Sequence, residues 1–265
     1  MVVNLIFLLL TGTLAGFSAG LLGIGGGIIL APFFFFYFEK LNVSPAIISQ
    51  MVFGTNLFII IFTSLSSSLG HHLNKNVLWK AVFPIAFGSI AGALTGAKVA
   101  SIVPSFVLEK AFALLLFYSS FQVFCNIKKE KDGEPIFNHF YFAAVGILAG
   151  FVGALLGVGG GIIMVPVMIL LFRFPVKKVA GTSSSIIVIT SLTATISYVI
   201  FGYHNPHLPA NTLGFVHYKA ALPVMIGTVL SAHLGVYVNK RINTQNLKRV
   251  FALFLFIIAV RIMFF

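Results

Sequence analysis

Two glycine clusters are the residues of this chain whose type and spacing are best suited to binding a ligand. The first glycine break runs from Gly23 to Gly27, and the second runs from Gly157 to Gly161. Both interrupt long apolar stretches. Where a chain re-enters a helix after such a break, free amide groups and the positive end of the helix dipole favour a bound anion. The substrate-binding candidates in the breaks are Gly23, Gly25, Gly26, Gly27, Gly157, Gly159, Gly160 and Gly161.

A structural interpretation of these glycines stays open, because small residues also permit tight helix crossings. Crossing needs small residues four positions apart and not three glycines in a row, which favours the binding interpretation. A nucleotide loop is not expected, since no Lys-Ser or Lys-Thr pair follows either break. Small residues spaced by four do occur elsewhere, and we assign those ladders to packing: Gly12, Gly16, Gly20 with Gly146, Gly150, Ala154, and Gly88, Gly92, Gly96 with Gly227, Ser231, Gly235.

A second pair of motifs adds hydroxyl and amide groups inside apolar segments. Gly54-Thr55-Asn56 is followed later in the chain by Gly181-Thr182-Ser183-Ser184-Ser185. Such donors suit an oxyanion, and hydroxyls bonded to their own or a neighbouring helix are an equally weighted alternative. The substrate-binding candidates here are Thr55, Asn56, Thr182, Ser183 and Ser184.

Titratable side chains offer little for catalysis. The five acids lie at segment ends or in the central linker, and Cys125 is the only cysteine, so we predict no catalytic residues, no metal site, no cofactor and no enzyme activity. His233 is the clearest intramembrane titratable group, and both packing and ion coupling remain open for it. The acids are Glu39, Glu109, Glu130, Asp132 and Glu134.

Composition indicates that apolar helices must position these residues within a membrane. The chain has 265 residues, of which 59% are hydrophobic and 8% are charged, with a mean hydropathy of +1.06. A soluble domain normally carries about 25% charged residues. The net charge of +12 is assigned to topology and lipid headgroups and not to nucleic acid. The start of the chain lacks the basic region of a signal peptide, so we do not expect its cleavage. The expected partners are a small anion and the lipid bilayer, and a homo-oligomer is left open.

An internal repeat organises the chain. Gly16 to Pro32 aligns with Gly150 to Pro166, and Thr63-Ser64-Leu65 aligns with Thr190-Ser191-Leu192. We therefore predict an all-α polytopic membrane protein with two homologous repeats of about four hydrophobic segments each, in which the first segment of each repeat is a glycine-broken helix. The predicted domains are 1–127 as the first repeat, 128–138 as the linker and 139–265 as the second repeat.

The predicted topology depends on whether the short piece after each break crosses the membrane. An odd number of crossings per repeat inverts the second copy, and the sequence leaves parallel and inverted copies open. A simple eight-span count places Lys40, Lys98 and Lys110 on the same side as Arg173 and opposite to both termini. The positive-inside rule then weakly favours extracytoplasmic termini.

The motifs resemble those of the TauE/SafE family of sulfite and organosulfonate exporters, which is sometimes grouped with toluenesulfonate uptake permeases. The resemblance rests on the Gly-rich break that ends in Ile-Ile-x-x-Pro at Pro32 and Pro166, followed by Gly-Thr-Asn at 54–56 and Gly-Thr-Ser at 181–183. It implies a secondary transporter in the cell (inner or plasma) membrane that exports small sulfur-containing anions without a nucleotide cofactor. An anion channel or a uniporter for another small oxyanion is the alternative.

Overall fold

The computed structural model describes residues 2–23, 25–125, 136–239 and 245–264. Within these residues the chain forms ten α-helices and one short β-hairpin. The elements are α1 Val2–Leu22, α2 Gly27–Lys40, α3 Ile48–Leu73, α4 Trp79–Ile102, α5 Ser105–Cys125, α6 His139–Leu155, α7 Gly161–Leu170, α8 Val176–Gly202, β1 Thr212–Leu213, β2 Val216–His217, α9 Tyr218–Asn239 and α10 Gln245–Phe264.

Four of the described helices are long and apolar enough to cross a membrane. These spans lie in α3, α4, α8 and α9, and shorter apolar helices occupy 6–21, 139–155 and 161–170. Helices suit a lipid environment because each satisfies its own backbone hydrogen bonds. The prediction of an all-α polytopic membrane fold is therefore confirmed. Both predicted helix breaks are present, at the end of α1 and at the end of α6.

Each break reverses the direction of the chain. Gly26 lies beside Ala15 and Ala19, and the rings of Phe7 and Phe33 are 5.0 Å apart, so α2 runs back along α1. The second break repeats this geometry, because Phe142 of α6 and Phe172, just beyond α7, have ring centroids 4.7 Å apart. Each broken segment is therefore a hairpin of two antiparallel helices.

This reversal corrects the eight-span assignment of membrane sides. Because α2 returns towards the start of α1, Lys40 lies on the same side as the beginning of α1 and not opposite to it. The Lys110 ammonium donates to the carbonyl oxygens of Ile262 and Met263 at the end of α10, also on that side. The count that favoured extracytoplasmic termini placed these lysines on the other side, so it no longer supports that orientation.

Small residues hold the outer helices against each other. A Cβ added at Gly12, Gly16 or Gly20 of α1 would overlap the backbone of α9, and the residues met advance along α9 in the same direction. Glycines of α4 meet α6 in the same parallel manner at Gly88 and Gly92. Side chains at these positions would push the helices apart, which explains the spacing of four.

The central pair of helices, α3 and α8, is antiparallel. Gly181 near the start of α8 lies against His71 near the end of α3, whereas Gly54 near the start of α3 and Gly202 at the end of α8 both contact Phe215. The helices at corresponding positions in the first five and the last five therefore run in opposite directions. The division into 1–127, 128–138 and 139–265 stays a prediction, and residues 128–135 of the predicted linker lie outside the described part of the chain.

Candidate functional site

The two glycine breaks share one unusual backbone conformation. Gly25 and Gly26 have φ angles of 80° and 75°, and Gly159 and Gly160 have 72° and 86°. These values lie in the left-handed region, where residues with a Cβ are disfavoured. The requirement for glycine is therefore conformational in both breaks. Gly26 and Gly160 also precede the first residues of α2 and α7, and neither helix start has a side-chain cap.

The breaks meet at the centre of the molecule. A Cβ added to Gly25 would lie 3.3 Å from both Ile60 and Ile187, and one added to Gly159 would meet the same two isoleucines at 3.3 and 2.9 Å. Ile60 is midway along α3, and Ile187 is near the middle of α8. We call this meeting point the central junction: the two glycine breaks together with Ile60 and Ile187.

Asn56 ties the two breaks together. Its side chain is fully buried, and its Nδ2 donates to the carbonyl oxygen of Gly27 at 2.9 Å and to that of Gly157 at 2.7 Å. Both neighbours are carbonyl oxygens, so the amide orientation follows from hydrogen-bond chemistry. Asn56 Oδ1 has no partner within the described residues. One predicted site residue therefore contacts both predicted breaks.

Two helix N-termini point at the central junction. Helix α2 leaves it in one direction and α7 in the other, so the positive ends of both dipoles face the centre. In the second break the amide groups of Gly160, Gly161 and Ile162 have no backbone acceptor within the described residues. Buried amides without protein partners are normally satisfied by water or a ligand.

Buried serine hydroxyls lie beside the breaks. A Cβ at Gly25 would be 3.5 Å from Ser64 Oγ, and one at Gly159 would be 2.8 Å from Ser191 Oγ. Both serines are fully buried, and neither hydroxyl has a partner within the described part of the chain. The sequence interpretation did not select these two residues, although their motifs align between the halves. Ser183 Oγ, which was selected, is also buried and unpartnered there.

Three other predicted residues take part in helix contacts. Thr55 Oγ1 accepts from the amide of His217 at 2.9 Å, next to the start of α9. Thr182 Oγ1 accepts from the amide of Leu78 at 3.0 Å, next to the start of α4, and donates to Lys178 O at 2.6 Å. The Ser184 hydroxyl lies 3.0 Å from that of Ser67. These hydroxyls join neighbouring helices, as the packing alternative describes.

Two side chains at matching positions bind the last helix turn before each break. His71 Nε2 donates to Gly20 O at 3.2 Å, and Tyr198 OH donates to Ala154 O at 3.0 Å. Both side chains are buried and bind the last turn of the helix before a break. The sequence interpretation missed them because one is histidine and the other tyrosine, so identity alone does not pair them.

Charge at the site comes from the backbone. Among the side chains whose burial the structure describes, no Lys, Arg, Asp or Glu is buried, and no group of three or more potential metal ligands is present. His233 is exposed on α9, where its Nδ1 lies 3.1 Å from Ser66 Oγ. Ser66 Oγ itself donates to Val229 O at 2.9 Å, so His233 Nδ1 is the donor towards it. This histidine therefore contacts α3 through Ser66.

The fold and the paired breaks are those of a multi-pass membrane transporter of the cell membrane. The chain belongs to the sulfite exporter TauE/SafE family, whose model matches residues 8–262. The resemblance stated from the motifs is thereby confirmed.

Curated relatives cover almost the whole chain. It is 29% identical over 280 residues to the probable membrane transporter protein YunE of Bacillus subtilis, with 98% of each chain covered. It is 30% identical over 250 residues to the probable membrane transporter protein MJ0441 of Methanocaldococcus jannaschii, covering 91% of this chain and 88% of the relative. A probable membrane transporter protein of Haemophilus influenzae is 27% identical, with 95% of each chain covered. No solved structure matches.

Proposed function

We propose that this protein is a secondary transporter that exports small sulfur-containing anions, such as sulfite or organosulfonates, through the central junction. The observation that carries the proposal is the convergence of two helix N-termini on a buried point lined by unpartnered hydroxyls. Family membership supports the sulfur-containing substrate, since the family is described as sulfite exporters. We propose transport without a chemical reaction on the substrate.

The groups at the junction match the needs of an oxyanion. Sulfite and sulfonate groups present several oxygen acceptors, which require hydrogen-bond donors. The hydroxyls of Ser64 and Ser191 can supply two, and the amides of Gly160 to Ile162 can supply more. Helix dipoles stabilise the negative charge without a cationic side chain. A lysine or arginine at this depth would bind an anion more tightly and would slow its release.

The reversed directions of the two halves support alternating access. We propose that residues 1–127 and 139–265 are inverted copies, as in many transporters that rock one repeat against the other around a fixed site. The glycines of the junction and the neighbouring Ser64 and Ser191 are buried. A site closed to both sides of the membrane is the conformation expected between the two open ones. The antiparallel pair α3 and α8 lies on the axis of such a motion.

Flux measurements in proteoliposomes test this proposal. Purified protein should give saturable sulfite flux that is accelerated by sulfite on the opposite side. A carrier must turn its binding site back to the first side after each release, and bound sulfite makes this return productive. A linear, unsaturable flux without exchange would favour the channel alternative. No flux of sulfite, methanesulfonate or taurine would overturn the proposed substrate class.

The site assignment needs variants of its own. Ser64→Ala and Ser191→Ala should each lower sulfite flux, whereas Gly70→Ala on α3 is the matched control. A Cβ at Gly70 would be 3.3 Å from the Val236 methyl groups and would meet no backbone atom among its nearest neighbours, so a small shift of Val236 should accommodate it. Direction can be measured in cells: expression should lower the intracellular sulfite of preloaded cells, and sulfite accumulation would contradict export.

A further inference from the structure

We infer that the central junction selects anions with a single negative charge over dianions. The inference rests on the proposed function, because it concerns the substrate of the same site. It follows from the amount of positive charge that the protein places there. Each helix N-terminus is equivalent to roughly +0.5 elementary charge. Both α2 and α7 begin at the junction, and the negative C-terminal ends of α1 and α6 lie next to the same breaks, so the backbone supplies at most about one positive charge in total.

No side chain within the described residues adds a second positive charge. The buried polar residues are serine, threonine, glutamine, asparagine and histidine. One of the two buried histidines, His71, donates to Gly20 O. His71 is eleven residues after Ile60 on α3, which places it about 16 Å away along the helix. The other, His217, accepts the Ala220 amide through Nδ1 at 3.1 Å, which requires that nitrogen to be unprotonated.

A dianion would therefore leave at least one charge uncompensated at the centre of the membrane. Burying an unpaired charge is among the most costly events in a protein interior. A monoanion leaves less charge uncompensated than a dianion does, and it meets the serine hydroxyls and amides as donors. Charge balance thus separates hydrogensulfite and sulfonates from the sulfite dianion and sulfate, although all four present similar oxygen atoms.

Asn56 adds a second preference within the monoanions. Its Oδ1 is buried and unpartnered within the described residues, and an amide oxygen can only accept. A ligand that carries one donor, such as the hydrogen of hydrogensulfite or the hydroxyl or amino group of a substituted sulfonate, can satisfy it. A fully deprotonated oxyanion offers only acceptors and would repel this atom.

Binding to the purified protein, measured by titration calorimetry at constant ionic strength, tests the charge rule. Methanesulfonate is a monoanion at every working pH and sulfate is a dianion, so sulfate should bind at least about tenfold more weakly. Sulfite converts from monoanion to dianion near neutral pH, and its apparent affinity should fall as the pH rises. Methanesulfonate should show little change over that range, which controls for titration of His71 and His217.

The outcomes separate this inference from the proposed function. Equal or tighter binding of sulfate, or a sulfite affinity that rises with pH, would overturn the charge rule while leaving an anion transporter in place. If neither methanesulfonate nor sulfate binds at any pH, the proposed function fails as well. Asn56→Ala, which removes the buried acceptor, should remove the advantage of hydrogensulfite over methanesulfonate and keep that of methanesulfonate over sulfate. An unchanged hydrogensulfite advantage would contradict the role of Oδ1.

Discussion

The two glycine breaks have nearly the same backbone but different side chains beside them. In the first half Asn56 donates to the carbonyl oxygens of Gly27 and Gly157, whereas the aligned residue of the second half is Ser183, whose buried hydroxyl has no partner within the described residues. The backbone conformation is thus required twice, while the bond between the breaks is made once. The comparison indicates that both breaks require glycine and that only Asn56 makes the bond between them, and we propose that the difference between Asn56 and Ser183 sets the polarity of the junction.

The largest expected effect on transport comes from replacing the glycines that adopt the left-handed backbone conformation in both breaks. Gly160→Val and Gly26→Val should abolish transport, because valine is disfavoured at φ values of 86° and 75° and its Cβ would lie 2.6 and 2.8 Å from the Ala149 and Ala15 carbonyl oxygens. Left-handed backbone alone costs roughly 1–2 kcal/mol. Sulfite flux per correctly inserted molecule measures the effect. Normal flux in either variant would show that the breaks are not the transport path.

Alanine substitutions at Asn56 and Ser183 should change the free energy of unfolding by different amounts. Asn56→Ala removes one donor from each of two buried carbonyl oxygens and should cost ~1–3 kcal/mol. Ser183→Ala removes a hydroxyl without a protein partner and should be nearly neutral. Thermal unfolding in detergent, in the absence of anion, compares the two variants. Equal losses would mean that Ser183 makes a bond equivalent to that of Asn56.

The threonines provide a matched pair in which the halves should behave alike. Thr55→Val and Thr182→Val each remove an acceptor for the amide that leads into α9 or α4. Each should cost about 1 kcal/mol of stability, by analogy with lost helix caps. Their effect on methanesulfonate affinity should be small, since these hydroxyls are engaged elsewhere. A strong loss of methanesulfonate affinity in Thr182→Val would show that the Thr182 hydroxyl belongs to the substrate site.

The smallest effect concerns pH and belongs to the second half only. Burial lowers the pKa of His217 below its ordinary value of 6.5, and the aligned residue of the first half is Leu78. The folded protein therefore binds fewer protons at His217 than the unfolded chain does, and stability falls as the pH drops below 6.5 towards the lowered pKa. His217→Gln should weaken this acid dependence of the unfolding temperature. An identical dependence in the variant would assign it to another group.

Much of the architecture could be predicted from the sequence because its signals have direct physical causes. Apolar runs predicted the helices, glycine clusters predicted the breaks, and spacing by four predicted where helices touch. Reversal at the breaks could not be predicted, since a kinked helix and a hairpin need the same glycines. The eight-span count treated each broken segment as a single crossing and therefore placed Lys40 on the wrong side of the membrane.

The site was predicted less completely than the fold. Asn56 was selected for its amide, and the structure adds that it joins both breaks. Ser64 and Ser191 were not selected, because a single serine in an apolar helix is equally typical of a bond to its own backbone. Only the three-dimensional structure shows that these hydroxyls lack such a bond and lie beside Gly25 and Gly159.

We propose that the two breaks form one anion site. Titration calorimetry of the purified protein with methanesulfonate tests it directly through stoichiometry, with Ser64→Ala and Ser191→Ala as companions. We predict one anion per chain, and a loss of affinity for that same anion in each variant, because hydroxyls from both halves face a single ligand. Two anions per chain, with each variant affecting only one of them, would contradict a shared central junction.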